Sequence, residues 1–446
     1  MTKAPEARAR LTLWPLVAAT YFIVSGGPYG LEELIAKVGF TAALWILVLT
    51  PIVWSLPTAL AVGELSAALP EEGGYYAWVR RALGPFWGFQ EAWLSLAASF
   101  FDMAIYPTLF VLYLGQIAPS LGKGLPALAV ELLMIALCAY WNVRGSRAVG
   151  RGSFWMGLAM LGPFALLTAF AYARGVQPPH LAGSSSLLLG ILVAMWNFMG
   201  WDNACTFANE VERPQRTYPI AMGVTVGLVT LGYLVPTLAV RRAGLDPAGW
   251  TTGSWVTAAT AVVGPWLGAA VVVGGVVSAL GTFNSLVLSY SRLPAALAAD
   301  GYLPRAFERR HPKSGAPWIS VVVCAAAYAS CLGLGFDRLV QVDIVLYGLS
   351  LVLEFAALAV LRVREPDLPR AFRVPGGVAG AIAVGVPPTA LLGVALWMSF
   401  SGSDADGAPG GLRVALALIA AGPLLFAALR GRAARRLEAA RTTVEV

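Results

Sequence analysis

Runs of about 20 apolar residues recur along almost the whole chain, and their number and length leave essentially one kind of fold open. Twelve such runs can be drawn, at 12–37, 42–69, 84–118, 126–143, 152–173, 187–210, 217–241, 260–292, 316–335, 338–361, 378–400 and 411–430. Each is long enough to cross the hydrocarbon of a bilayer as a helix, the form that satisfies its own backbone polar groups there. The expected class is therefore an all-α integral membrane protein with 12 transmembrane helices and no soluble region of domain size. Only 12% of residues are charged, well below the usual quarter, which agrees. Lys3, Arg8 and Arg10 before an apolar run imitate a signal peptide, but no small-residue cleavage site follows, and the run is read as a retained first helix.

Basic residues set the orientation. With both termini cytoplasmic, 24 of the 31 lysines and arginines fall on the inner side, as an even number of spans requires. This implies a multi-pass protein of the inner or plasma membrane, with cytoplasmic tails at 1–11 and 431–446. The net charge of +7 then reflects topology and contact with the lipid surface, not nucleic acid.

Several chemistries find nothing to build on. Cys138, Cys205, Cys324 and Cys331 lie in apolar runs without metal-ligand spacing, and read as small core residues. His180 and His311 occupy separate loops, and Ser153 and Ser184–Ser186 have no base nearby, so no catalytic residue, metal or cofactor is expected. No Gly-rich loop ends in Lys-Ser or Lys-Thr, which argues against ATP as the energy source.

Two of the spans are interrupted. The first contains Ser25-Gly26-Gly27-Pro28, where two flexible residues and one lacking an N–H should stop the helix, followed by Glu32 and Glu33. The sixth contains Trp196-Asn197-Phe198-Met199-Gly200-Trp201-Asp202-Asn203, again glycine and polar groups in mid-span. Unwound backbone at membrane depth is tolerable only where it is buried in protein or lines a watery cavity, so each break marks a candidate site. Breaks in the first and sixth spans are what an inverted repeat of five helices produces: 12–173 and 187–361 as the two copies, with 378–430 appended. No residue-level repeat is visible; the symmetry rests on helix count and break position.

Ionisable groups inside the other spans are functional candidates by default. They are Glu64 at the end of the second span, Glu91 and Asp102 in the third, and Asp343 and Glu354 in the tenth, with Tyr347 between the last two. No Lys or Arg lies mid-membrane to neutralise Asp102, so its partner can be a proton or a cation arriving from outside. Between the second and third spans, Gly73-Gly74-Tyr75-Tyr76-Ala77-Trp78-Val79-Arg80-Arg81 has the pattern of a short amphipathic helix in the cytoplasmic interface.

With both broken spans in hand, the chain resembles the amino acid/polyamine/organocation permeases, and among them most the plant-type polyamine uptake transporters, a polyamine:proton symporter branch. The resemblance rests on Ser25 through Glu33, Pro70 through Trp78, Ala82 through Gln90, Asp102 through Pro107, Trp196 through Pro219, Leu353-Glu354-Phe355 and Arg364 through Leu368. It implies a leucine-transporter-like fold of five plus five helices working by alternating access, with backbone near Ser25, Gly26 and Gly27 and near Gly200 to Asn203 meeting the solute.

The residues support two solute classes. An ammonium group calls for carboxylates and aromatic faces, and Glu32, Glu33, Asp102 and Asp202 with Tyr106, Trp196, Trp201, Phe283 and Tyr347 offer both. A carboxylate calls for free N–H groups at a half-helix N-terminus, which the Gly26-Gly27 break also offers. A cationic solute such as a polyamine is the first expectation and a neutral amino acid the alternative. For coupling, the candidates are Asp102 first, then Glu64 and Asp202, as carriers of a proton. Sodium held by Ser285 and Ser289 with first-span carbonyls, or exchange with no ion, are the alternatives. The partners expected are the small-molecule solute and the bilayer, with monomer and homo-oligomer both open.

Overall fold

The computed structural model describes residues 12–71, 73–144, 149–177, 186–203, 211–312, 314–370, 372–401 and 409–444. Cys205, His180, Ser184, Ser185, the stretch 204–210 and the tail 1–11 lie outside the described residues. The elements in chain order are α1 (Leu13–Val24), α2 (Leu31–Thr50), α3 (Leu56–Ala68), α4 (Gly74–Leu83), α5 (Pro85–Leu114), α6 (Gly124–Arg144), α7 (Val149–Ala173) and α8 (Leu187–Asn197). There follow α9 (Pro214–Arg242), α10 (Ser254–Val262), α11 (Pro265–Tyr290), α12 (Arg292–Ala299), α13 (Trp318–Ser330), α14 (Phe336–Arg364), α15 (Gly377–Ser401) and α16 (Pro409–Val444). Among the described residues, nine helices are long and apolar enough to cross a membrane, and Leu13–Val24, Leu187–Asn197 and Trp318–Ser330 are shorter apolar helices.

The helices differ from the apolar runs where single residues change the backbone without adding a polar loop. The first two runs are not separated by a loop: helix continues from α2 through a π-turn at Pro51–Ser55 into α3, kinked at Gly39 (φ 72°, ψ 168°). The eighth run is split, because Gly264-Pro265 ends one helix and starts the next, proline fitting the first turn where its missing N–H is no loss. The last helix continues to Val444, past the apolar run, through a segment rich in Ala, Arg, Leu and Glu, all good helix formers. The amphipathic segment folds as α4, with Tyr75, Tyr76 and Trp78 buried against the protein.

Large apolar side chains point outward as well as inward. Trp14, Trp397 and Leu424 are each about 70% exposed, an arrangement that water would penalise and lipid would not. Inside, α5 is the central post, with α14 packed along one side and α11 along another, while α1 lies against α9. The acids of the third and tenth runs are consequently buried between helices instead of facing lipid.

Candidate functional site

Both interrupted spans are broken where glycine and its neighbours require. Helix α1 stops at Val24 and helix resumes only at Leu31. At Gly26 the reason is close approach: a Cβ there would come within 2.7 Å of Ser278 Oγ, and Ser278 donates its hydroxyl to the Gly26 carbonyl. At the other break Gly200 takes φ +89°, a left-handed conformation that side chains disfavour. The two breaks meet. A Cβ on Gly200 would sit 3.5 Å from the Ile23 carbonyl, and Tyr233 of α9 bridges them, donating to Asn197 O (2.8 Å) and sharing a 2.8 Å hydrogen bond with Ser25 Oγ.

The unwound backbone is held by side chains from distant helices. Gly27 N donates to Ser25 Oγ (3.1 Å), and Trp255 Nε1 to the Pro28 carbonyl (2.8 Å). Gly200 N donates to Tyr347 Oη (3.1 Å), whose own proton goes to Asp202 Oδ1 (2.7 Å). Such pairing is needed because a buried, unsatisfied backbone group costs about 1–3 kcal/mol.

A small cavity opens beside the breaks. Val24, Gly26 and Tyr29 line it from the first break, Trp196 and Asn197 from the second. Tyr106 and Leu109 of α5, Tyr233 of α9, and Gly275, Ser278 and Ala279 of α11 complete the wall. The Tyr106 and Trp196 rings stand 6.1 Å apart, and both direct their polar atoms at one carboxylate: Asp102 Oδ1 accepts from Trp196 Nε1 (3.1 Å) and Tyr106 Oη (3.2 Å). Its other oxygen accepts from Tyr290 Oη (3.1 Å), which also receives a bond from Asn203 Nδ2 (3.2 Å). Asp102 thus stands behind an aromatic wall with only neutral donors around it.

The remaining candidates divide by what surrounds them. Asp202 and Tyr347 join the second break, and Asp343, fully buried, lies close enough to interact electrostatically with Asp102 and Asp202. Both Asp343 oxygens and both Glu354 oxygens lack a hydrogen-bond partner among the described residues. Glu32, Glu33 and Glu64 are elsewhere. Glu32 accepts from Tyr113 Oη, Gly30 N (2.7 Å) and Gly253 N (3.0 Å), and Glu33 from Thr252 N and Oγ1, both at 2.9 Å. Glu64 faces Arg362 (2.5 Å) and Arg370 (3.2 Å) and accepts from Val374 N (2.8 Å). Trp201 is buried with its indole bonded to Phe198 O (2.8 Å), and Phe283 packs edge-on against Tyr328, so neither forms cavity wall. Sequence reasoning placed Tyr29 and Asn197 within the broken stretches without singling them out, and missed Tyr233, which sits among apolar neighbours on α9; tertiary packing makes all three part of the wall. Among the described residues, no group of His, Cys, Asp and Glu could hold a metal ion.

Comparison with known proteins agrees with this architecture. Residues 15–408 match the family described as "Amino acid permease". The chain is 35% identical over 405 residues to the polyamine transporter PUT1 of Oryza sativa subsp. japonica, covering 89% of this chain and 75% of that one. It is 32% identical over 392 residues to the polyamine transporter RMV1 of Arabidopsis thaliana, covering 86% and 80%. The serine/threonine exchanger SteT of Bacillus subtilis is 28% identical over 334 residues, 72% of this chain and 75% of that protein.

Proposed function

The chain belongs to the amino acid permease family, and from that membership we propose that it is a secondary transporter of cationic solutes, polyamines before amino acids. One observation carries the reading. The cavity between the two breaks is backed by Asp102, with Asp202 and Asp343 behind, and among the described residues no lysine or arginine forms an ion pair with any of them. A carboxylate sealed from water needs a compensating charge, and an ammonium ion arriving in the cavity supplies it. The Tyr106 and Trp196 faces add cation–π attraction, about 2 kcal/mol when desolvated. The names of the two plant relatives point the same way.

We extend this to mechanism as follows. The nine long and three short apolar helices make up 12 spans, the first and sixth broken, arranged as two inverted sets of five with two appended and both termini cytoplasmic. Alternating access rocks these sets about the cavity. A proton is the coupling ion, with Asp102 and Asp202 as its carriers. Glu64 drops out of that role, since two guanidinium groups already neutralise it. Of the hydroxyls considered for sodium, Ser285 is bonded to Gly281 O of its own helix (2.9 Å) and Ser289 to Asn203 Oδ1 (2.9 Å), outside the cavity wall. The neutral amino acid alternative keeps one supporting feature at the site, the turn at Gly26 in the cavity wall. Uptake of labelled putrescine, arginine and leucine into proteoliposomes tests the choice: putrescine uptake competed by spermidine is expected, and transport of leucine alone would overturn the cationic reading.

A further inference from the structure

Two acids that this account has not used lie below the cavity, and their placement follows a rule. On α5, Glu91 precedes Asp102 by 11 residues; on α14, Glu354 follows Asp343 by 11. Eleven residues are just over three full turns, so each helix carries its two acids on one face about 16 Å apart. The helices pack against each other, Asp343 interacts with Asp102 and Glu354 with Glu91, so they run antiparallel and the acids form two rungs. Asp202, on the unwound segment, interacts with acids of both rungs.

Among the described residues, no lysine or arginine forms an ion pair with the lower rung. Glu91 and Glu354 are 0% and 1% exposed, and Glu91 Oε2 and both Glu354 oxygens have no hydrogen-bond partner among the described residues. Ser95 donates to Glu91 Oε1 (2.7 Å). Titratable or charged groups facing the rung are Asp202 and, beside Glu354, Tyr347. Helices α8 and α15, also packed on α14, contain no ionisable residue. Helix α16, packed on both α5 and α14, carries arginines, of which Arg436 is bonded to Glu308, and among the described residues no ion pair joins any of them to Glu91 or Glu354. Arg362 on α14 is committed to Glu64 of α3. On α4, Arg80 is bonded to Asp300 and Arg81 to Glu365. The cavity wall includes neither acid.

We propose that Glu91 and Glu354 form a proton-binding pair on the cytoplasmic side of the solute cavity, loaded and emptied once per transport cycle through Asp202. When the upper rung takes the cationic solute, its proton passes through Asp202 to the lower rung; when the inner side opens, the lower-rung carboxyl releases that proton to water and becomes a carboxylate until the next cycle. The inference rests on the transporter reading but not on which solute is carried.

The test uses full-length protein in proteoliposomes with the membrane potential clamped, a pH-sensitive dye in the lumen, and putrescine, arginine or leucine, whichever the wild type carries. An inward gradient of one pH unit sustains up to about tenfold accumulation per coupled proton. Glu354→Gln and Glu91→Gln keep the shape of a protonated acid but cannot release the proton. Both variants are expected to retain solute counterflow at equal pH while accumulation falls to onefold and the solute-dependent dye signal disappears; Glu354→Asp is expected to restore part of both. Unchanged proton-driven accumulation in both glutamine variants overturns the proposal. So does loss of counterflow in step with accumulation in monodisperse protein, which marks a structural role, and so does wild-type transport that moves no proton. Failure of the wild type to carry putrescine with the dye signal present on arginine or leucine would instead sink the polyamine reading alone.

Discussion

Glu32, Glu33 and Glu64 on one side, and Asp102, Asp343, Glu91 and Glu354 on the other, are the same chemical type in the same protein, placed differently: the first group ties helix ends together, and the second lies along α5 and α14 beside the solute cavity. The first group is fully partnered: backbone N–H groups and a tyrosine for Glu32, Thr252 for Glu33, two guanidiniums for Glu64. These acids pin the start of α2 to the start of α10, and the end of α3 to the end of α14. The second group has neutral donors at most, and Asp343 and Glu354 have none among the described residues. Burial alone therefore does not mark a transport residue. Glu32 and Glu33 meet only neutral donors, as Asp102 does, so the distinguishing property is place: Asp102 stands directly behind the cavity wall, where a solute can supply its counter-charge, and Glu32, Glu33 and Glu64 do not.

Substitutions can break this contrast. The largest effect is expected at the partnered acids: Arg362→Ala leaves Glu64 buried with one cation fewer and should cost about 3–5 kcal/mol, read as loss of thermal stability of the purified protein. Asp343→Asn, by contrast, should cost less than about 1 kcal/mol, since no hydrogen bond from a described residue is lost. Equal losses at the two sites would erase the distinction. Next, Glu32→Gln should lower stability by about 1–3 kcal/mol, as an amide replaces the acceptor shared by Gly30 N, Gly253 N and Tyr113 Oη. A smaller loss, about 1 kcal/mol, is expected for Tyr347→Phe, which deprives Asp202 of a donor and Gly200 N of an acceptor. Slower uptake from this variant would tie the second break to transport.

The smallest effect sits outside the membrane segments. The Arg81 guanidinium hydrogen-bonds Glu365 at 2.9 and 2.7 Å and holds its carboxyl below the ordinary range. A group lowered on folding stabilises above its unfolded value, and that contribution is lost as the pH falls through the lowered one. Melting temperature against pH should show a shallow acid-side decline that Arg81→Gln flattens and that salt weakens, because both partners are partly exposed to water.

Much of this was legible in the sequence because membranes restrict the options. Apolar run length predicts helix, and Gly26-Gly27-Pro28 and Gly200 predict the breaks, since these depend on local backbone chemistry. Asp102, Tyr106, Trp196 and Gly26 were expected at the site, and the structure brings them together at or directly behind the cavity wall. What sequence could not reveal was pairing. Glu32-Glu33 beside a break reads in sequence much as Asp102 does, and only the placement of Thr252 and Gly253, more than 200 residues away, shows that both are tied to the start of α10 and not to the cavity wall. The two-rung stacking of Glu91, Asp102, Asp343 and Glu354 likewise needs the antiparallel register of α5 and α14, although the equal spacing of 11 was on view in the chain.

The most direct test of the missing counter-charge is equilibrium binding of radiolabelled putrescine to the purified protein, in wild type, Asp102→Asn and Glu32→Gln. Removing the charge behind the aromatic wall should weaken binding about 10–100-fold, and removing the one held away from the cavity, at Glu32, should leave it within about twofold. Binding that collapses in Glu32→Gln while surviving in Asp102→Asn would contradict the account.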